Sequence, residues 1–138
     1  MYDKILVTLD GTTTDRAIID HIKELAKVMH SRLVLLHVAS GAAARWHGTE
    51  AAGQEIKEGH AYLRRAQAEF ADIGLSAEVE LVCGDPAREI VKWIHEKGCN
   101  LVAMSTHGHR LMGDIVLGTT ASRVQHSIRV PVLLLRAK

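Results

Sequence analysis

The residues best suited to chemistry lie between Met104 and Thr120. A run of small and polar residues, Ser105-Thr-His-Gly108-His109-Arg-Leu-Met-Gly-Asp114, leads there to Gly118-Thr119-Thr120. It follows a short apolar run, Leu101 to Met104, with the pattern of a buried strand, and enters an apolar-periodic segment, Ala121 to Ile128, with the pattern of a helix. Glycine lets a backbone come close to a ligand, and the first amides of a helix are unpaired donors with partial positive charge. A loop so placed can cradle an anion, and phosphate is the anion it suits best. Thr119 and Thr120 add hydroxyl donors. Read singly, Gly108 and Gly118 would be ordinary turn glycines, and it is their spacing before a threonine pair that points to phosphate.

A second cluster, Asp10-Gly11-Thr12-Thr13-Thr14, closes a β-prone run from Lys4 to Leu9. Asp10 has two readings: a carboxylate facing a ligand, or a turn residue bonding backbone two positions on. Near a triphosphate a bare carboxylate is repelled unless a cation intervenes, so the ligand reading sets it toward the sugar or a Mg2+ ion. His107 and His109 have no Cys or further His partner at zinc spacing, which disfavours a closed four-ligand metal site. They read as loop donors toward phosphate, or as solvated side chains. His37, inside an apolar strand, reads as a satisfied core histidine. Trp46 and His47 belong to a loop that either covers a base or has no fixed structure. Ser122 and Ser127 have no readable triad around them, no Walker lysine motif occurs, and no residue stands out as the positioned base that ATP hydrolysis requires.

The elements that must position these residues alternate. Lys4–Leu9 predicts a central strand, apolar on both faces. The threonines then supply caps for a helix in which Ile18, Ile22, Leu25 and Met29 share a face and Asp15, Asp20, Lys23 and Lys27 turn outward. Arg32–Val38 is a second strand. From about Glu50 a helix places Ile56, Leu63, Ala66 and Phe70 on one side until Gly74 stops it. Ala77–Cys83 alternates charged and apolar residues, as an edge strand does. Asp85-Pro86 starts a third helix that Gly98 ends. Asn100–Ser105 and Pro131–Arg136 complete the strands. This alternation predicts an α/β layered parallel sheet with helices on both faces, and ligands binding outside the strands' carboxyl ends where strand order reverses.

Bulk composition agrees. The 138 residues, 47% hydrophobic, suit one domain spanning 1–138. A formal charge of +1 gives no field for nucleic acid. Cys83 and Cys99 read as buried reduced thiols. With no long apolar stretch or cleavage site, the expectation is a cytoplasmic protein without membrane contact.

On these residues the chain resembles the universal stress protein family over essentially its whole length. Nucleotide-binding members carry Gly-x2-Gly-x9-Gly-Ser/Thr between the fourth strand and the last helix, and here the frame reads Ser105-x2-Gly108-x9-Gly118-Thr119. Asp10-Gly11-Thr12, Leu36-His37-Val38 and Gly84-Asp85-Pro86 match further family features in order. The resemblance implies an open five-stranded parallel sheet of order 3-2-1-4-5, Rossmann-like and adenine nucleotide alpha hydrolase-like. It also implies bound ATP, with Mg2+ as its candidate counter-ion, and a homodimer paired through the last strand, Pro131 to Arg136. By the same resemblance Thr8, Leu9, Asp10 and Val38 line the adenine and ribose, and Met104, Ser105 and Gly108 meet the ribose and first phosphates. Gly118, Thr119 and Thr120 take the outer phosphates, and His109, as a loop donor, is counted with these candidate binding residues. Ser105 departs from the motif's first glycine, and if its backbone needed positive φ it would be strained by roughly 1 kcal/mol. Leu111 stands where the family often has an extra glycine. The implied function is a dimeric nucleotide-sensing stress-response module with slow or no hydrolysis. The alternative is a nucleotide-free dimeric interaction protein of the same fold.

Overall fold

The computed structural model describes residues 1–39, 49–105 and 114–136, the side chains of 49, 51 and 114–119 excepted. Strands and helices alternate: β1 (Lys4–Thr8), α1 (Asp15–Met29), β2 (Arg32–Ala39), α2 (Thr49–Ala71), β3 (Ala77–Cys83), α3 (Pro86–Lys97), β4 (Leu101–Ser105), α4 (Asp114–Ser127) and β5 (Val132–Leu135). The strands pair in parallel in the order β3-β2-β1-β4-β5, as expected. β1 lies centrally, and Ile5, Leu6 and Val7 have no exposure because helices cover both faces of the sheet. β3, with Glu78 and Glu80 alternating against Val79 and Leu81, takes one edge, and β5 the other.

The period of two along each strand divides the core. Ile5, Val7, Leu33 and Leu35 pack with Ile18 and Ile22 of α1 and with Leu63 and Phe70 of α2. Leu6, Val34, Leu36, Val102 and Met104 pack on the opposite face with Ile90 and Ile94 of α3 and Val124 of α4. Burying each such side chain contributes about 1.5–3 kcal/mol, which holds the helices to the sheet. α3 begins as read from the sequence: Asp85 accepts from the Arg88 N–H at 2.9 Å, and Gly98 takes the left-handed cap conformation.

Four expectations need correction. Thr14, at the cap of α1, makes no side-chain bond to the helix, because its hydroxyl turns back to Asp10. Asp15 does not turn outward but is buried, at 2% exposure. Ile56 is 38% exposed rather than core. The physical reason is length: the 23 residues of α2 run about 35 Å, against about 27 Å for the eight residues of β2, so its first turns outreach the strands. Cys83, last in the edge strand, is exposed, whereas Cys99 is buried and its thiol is pushed up to about 11 by that burial.

Candidate functional site

Strand order reverses between β1 and β4, whose residues pair from Ile5↔Leu101 to Val7↔Ala103. A crevice outside their carboxyl ends is where such sheets bind ligands. Thr8 ends β1, and its Oγ1 donates to the Ala103 carbonyl at 3.4 Å. The Leu9 side chain belongs to the core; its N–H donates to the Leu36 carbonyl and its carbonyl accepts from His37 Nδ1–H, each at 2.9 Å. That bond makes His37 a satisfied histidine and fixes its proton on Nδ1, since a carbonyl only accepts.

Asp10 adopts the turn geometry that was one of its two readings. Its Oδ1 accepts from the Thr12 N–H at 3.0 Å and the Thr12 hydroxyl at 2.6 Å, and the Thr14 hydroxyl lies 3.0 Å from Oδ2. Behind it is a second carboxylate that sequence reasoning missed. Asp15 accepts from the N–H of Asp10 at 3.0 Å, from the N–H of Gly11 at 2.9 Å, and from the Tyr62 hydroxyl of α2. Burial raises the Asp15 pKa, while the Tyr62 and backbone bonds work against that rise. The Tyr62 phenol is pushed up by burial and by its bond to Asp15, so it stays protonated and donates. One signal was available: Asp15 falls on the stripe of Ile18, Ile22 and Ala26. Tyr62 gave none.

Val38 and Met104 lie on the α3/α4 face of the sheet, Met104 buried and Val38 partly so. Ser105 ends β4 on the other face, and its Oγ is buried with no hydrogen-bond partner among the described residues. Its φ is not positive, so the strain of a left-handed serine does not arise. Trp46, His47, His107, Gly108 and His109 lie outside the described residues.

Gly118, Thr119 and Thr120 stand within α4, which begins at Asp114 and not at Ala121. The spacing of Leu117, Ala121, Val124 and Ile128 carries the helical period back past the motif glycine. Free first-turn amides therefore belong to residues ahead of Gly118. Arg123 fastens α4 to the start of α3 by two bonds to Asp85, at 3.0 and 2.8 Å. That guanidinium, with the Arg88 amide, holds the Asp85 carboxyl below the usual carboxylate range.

A cavity of about 550 Å³ lies on the other side of the Asp10 turn, lined by Gly11, Thr12, Arg16, Tyr62, Arg65 and Glu69 among others. Its position between α1 and α2 separates it from Val38 and Met104. Arg16 and Lys23 bond Glu69 there and hold its pKa at about 2. Among the described residues no group of three or more His, Cys, Asp or Glu side chains could hold a metal ion, and no helix is long and apolar enough to cross a membrane.

Comparison with known proteins adds an independent line. Residues 1–136 match the model of the universal stress protein family. The chain is 29% identical to universal stress protein YxiE of Bacillus subtilis, covering 99% of this chain and 100% of that protein. It is 26% identical to universal stress protein MJ0577 of Methanocaldococcus jannaschii, covering 100% of this chain and 97% of that one. The solved structure of MJ0577 superposes with a TM-score of 0.86 over 100% of this chain and 98% of that chain. Two structures under 25% identical share the fold. One is a universal stress protein in complex with cAMP, at TM-score 0.70 and 20% identity, over 97% of this chain and 96% of that one. The other is from Archaeoglobus fulgidus in complex with dAMP, at 0.69 and 18%, over 96% and 97%.

Proposed function

This chain belongs to the universal stress protein family, and we propose that within it the protein is an ATP-binding module that acts as a homodimer, with hydrolysis slow or absent. The observation that carries the reading is the β1–β4 pairing, which sets the Asp10 turn beside the start of the Ser105 to Thr120 frame at the reversal of strand order. Complexes of fold relatives with cAMP and dAMP support the nucleotide class. Residue chemistry supports it too. The Ser105 Oγ, without a partner among the described residues, is a donor suited to a ribose or phosphate oxygen, while the partly buried Val38 offers apolar surface to a purine. Asp10, already accepting from Thr12 and Thr14, is better suited to fixing its turn than to ligating metal. A Mg2+ ion, which keeps waters and favours phosphate oxygens, would be held chiefly by the nucleotide.

Dimerisation is expected through β5. Val132–Leu135 is an open apolar edge with Leu134 38% exposed, and pairing with a second copy removes the unpaired strand. The protein is expected in the cytoplasm.

One observation favours the alternative of a nucleotide-free interaction protein: Gly118 to Thr120 lie inside α4, where helix bonding occupies their amides. Thermal unfolding separates the two. ATP at about 100 times its dissociation constant should stabilise the fold by about 2.7 kcal/mol, and sulfate should not. Equal melting in both, with no nucleotide released from heat-denatured protein, would establish the alternative.

A further inference from the structure

Helix α2 touches the Asp10 turn by two routes. Gly59 packs near His37, since a Cβ built there would lie 3.5 Å from His37 Cδ2, and His37 in turn holds the Leu9 carbonyl. Tyr62, one turn along, donates its hydroxyl to Asp15, which holds the amides of Asp10 and Gly11. The Leu9 carbonyl and the Asp10 and Gly11 amides are thus fixed in succession by side chains of β2 and α1 that α2 backs. Gly11 adopts φ 85, so the turn's path is one that few residues follow unaided.

We propose that Asp15 and Tyr62 are positioning residues of the candidate nucleotide site, a latch through which α2 sets the Asp10–Gly11 turn in its binding geometry. The proposal rests on the nucleotide reading above. Its physical basis is saturation: a buried carboxylate with three donors has few alternative arrangements, and losing one donor loosens its hold on the other two. Groups facing Asp15 are Asp10 from the turn and Tyr62 from α2, with Arg16 of α1, Arg65 of α2 and His37 of β2 further out.

The test compares wild type, Tyr62→Phe, and Phe70→Leu as a destabilising variant of the same helix remote from the latch. ATP affinity is measured by calorimetry, and amide exchange at Asp10 and Gly11 by NMR. Tyr62→Phe should bind ATP about tenfold more weakly, the scale set by losing one hydrogen bond to a charged group. It should also exchange both amides faster, while Phe70→Leu loses stability without losing affinity. The pH profile adds a readout that a purely structural role would not move. Asp15 holds both amides most strongly when ionised, and Tyr62 favours that form, so the acid limb of affinity should lie at higher pH in Tyr62→Phe than in wild type. The ligand's own titration cancels in that difference.

Wild-type affinity in Tyr62→Phe, or an equal loss in Phe70→Leu, would overturn the latch. Should wild type itself bind no ATP, the nucleotide reading falls, and the exchange data alone decide: unchanged protection of Asp10 and Gly11 in Tyr62→Phe would then overturn it.

Discussion

The two ends of the candidate crevice are held by different physics. On the β1 side, the Asp10 turn is pinned by a buried carboxylate with backbone and phenol donors. On the β4 side, α4 is placed by apolar packing of Ala121 and Val124 and by an exposed Arg123–Asp85 pair. A saturated buried acceptor is costly to disturb, whereas an exposed ion pair typically contributes about 1 kcal/mol or less. The contrast teaches that the β1 end of the crevice should be rigid and the β4 end, where α4 is anchored, adjustable.

The sharpest way to break this contrast is Asp15→Ala. It strands the Asp10 and Gly11 amides and the Tyr62 hydroxyl, and should cost about 3 kcal/mol or more in urea unfolding. A loss under about 1 kcal/mol would mean water or rearrangement satisfies them and the two ends do not differ. Next comes Ile94→Val, a methylene trimmed from the opposite face, expected at about 1 kcal/mol by the same measurement.

A smaller, pH-dependent effect belongs to Glu69, which lines the cavity behind the turn. Its folded pKa of about 2 lies below the ordinary 4.5, through its bonds with Arg16 and then Lys23. Its stabilisation is therefore present above about 4.5 and lost as pH falls toward about 2. Glu69→Gln should be less stable than wild type near neutrality and converge with it at the acid end, in thermal melts across that range. Parallel curves would refute the assignment. Least of all is expected from Arg123→Ala, whose change in urea midpoint should fall below that of Ile94→Val and vanish in about 1 M salt, where screening acts over about 3 Å. A salt-independent loss would show that the β4 side is as firmly built as the β1 side.

Much of the fold was legible because it rests on local pattern. The continuous apolar run of Lys4–Leu9, the charged alternation in Ala77–Cys83 and the Asp85-Pro86 start each carry their own reason. What could not be read depends on partners distant in sequence. Asp15 falls on the apolar stripe of α1, but a carboxylate there makes sense only once the turn amides and Tyr62, 47 residues away, are known to surround it. Thr14 passed for a cap because nothing local says that Asp10 is the better acceptor for its hydroxyl. The start of α4 was misplaced because glycine and paired threonines weaken a helical signal that packing beyond Ala121 sustains. At the site itself, the neighbouring of β1 and β4 sets the Asp10 turn beside Ser105, as the alternation of strands and helices implied. Spacing could not show that the Ser105 Oγ lacks a partner among the described residues.

The two borders of the sheet are not alike. Along β3, Glu78 and Glu80 are engaged by Lys97, and Glu78 also by Lys4. Along β5 run four aliphatic residues. Such a sheet has one guarded margin and one adhesive margin. Strand addition across the adhesive one uses it up in both copies and leaves only guarded margins outside. The dimer proposed above would thus be self-limiting at a pair, with growth into a fibre closed off by the charges that stitch β3 to its neighbours.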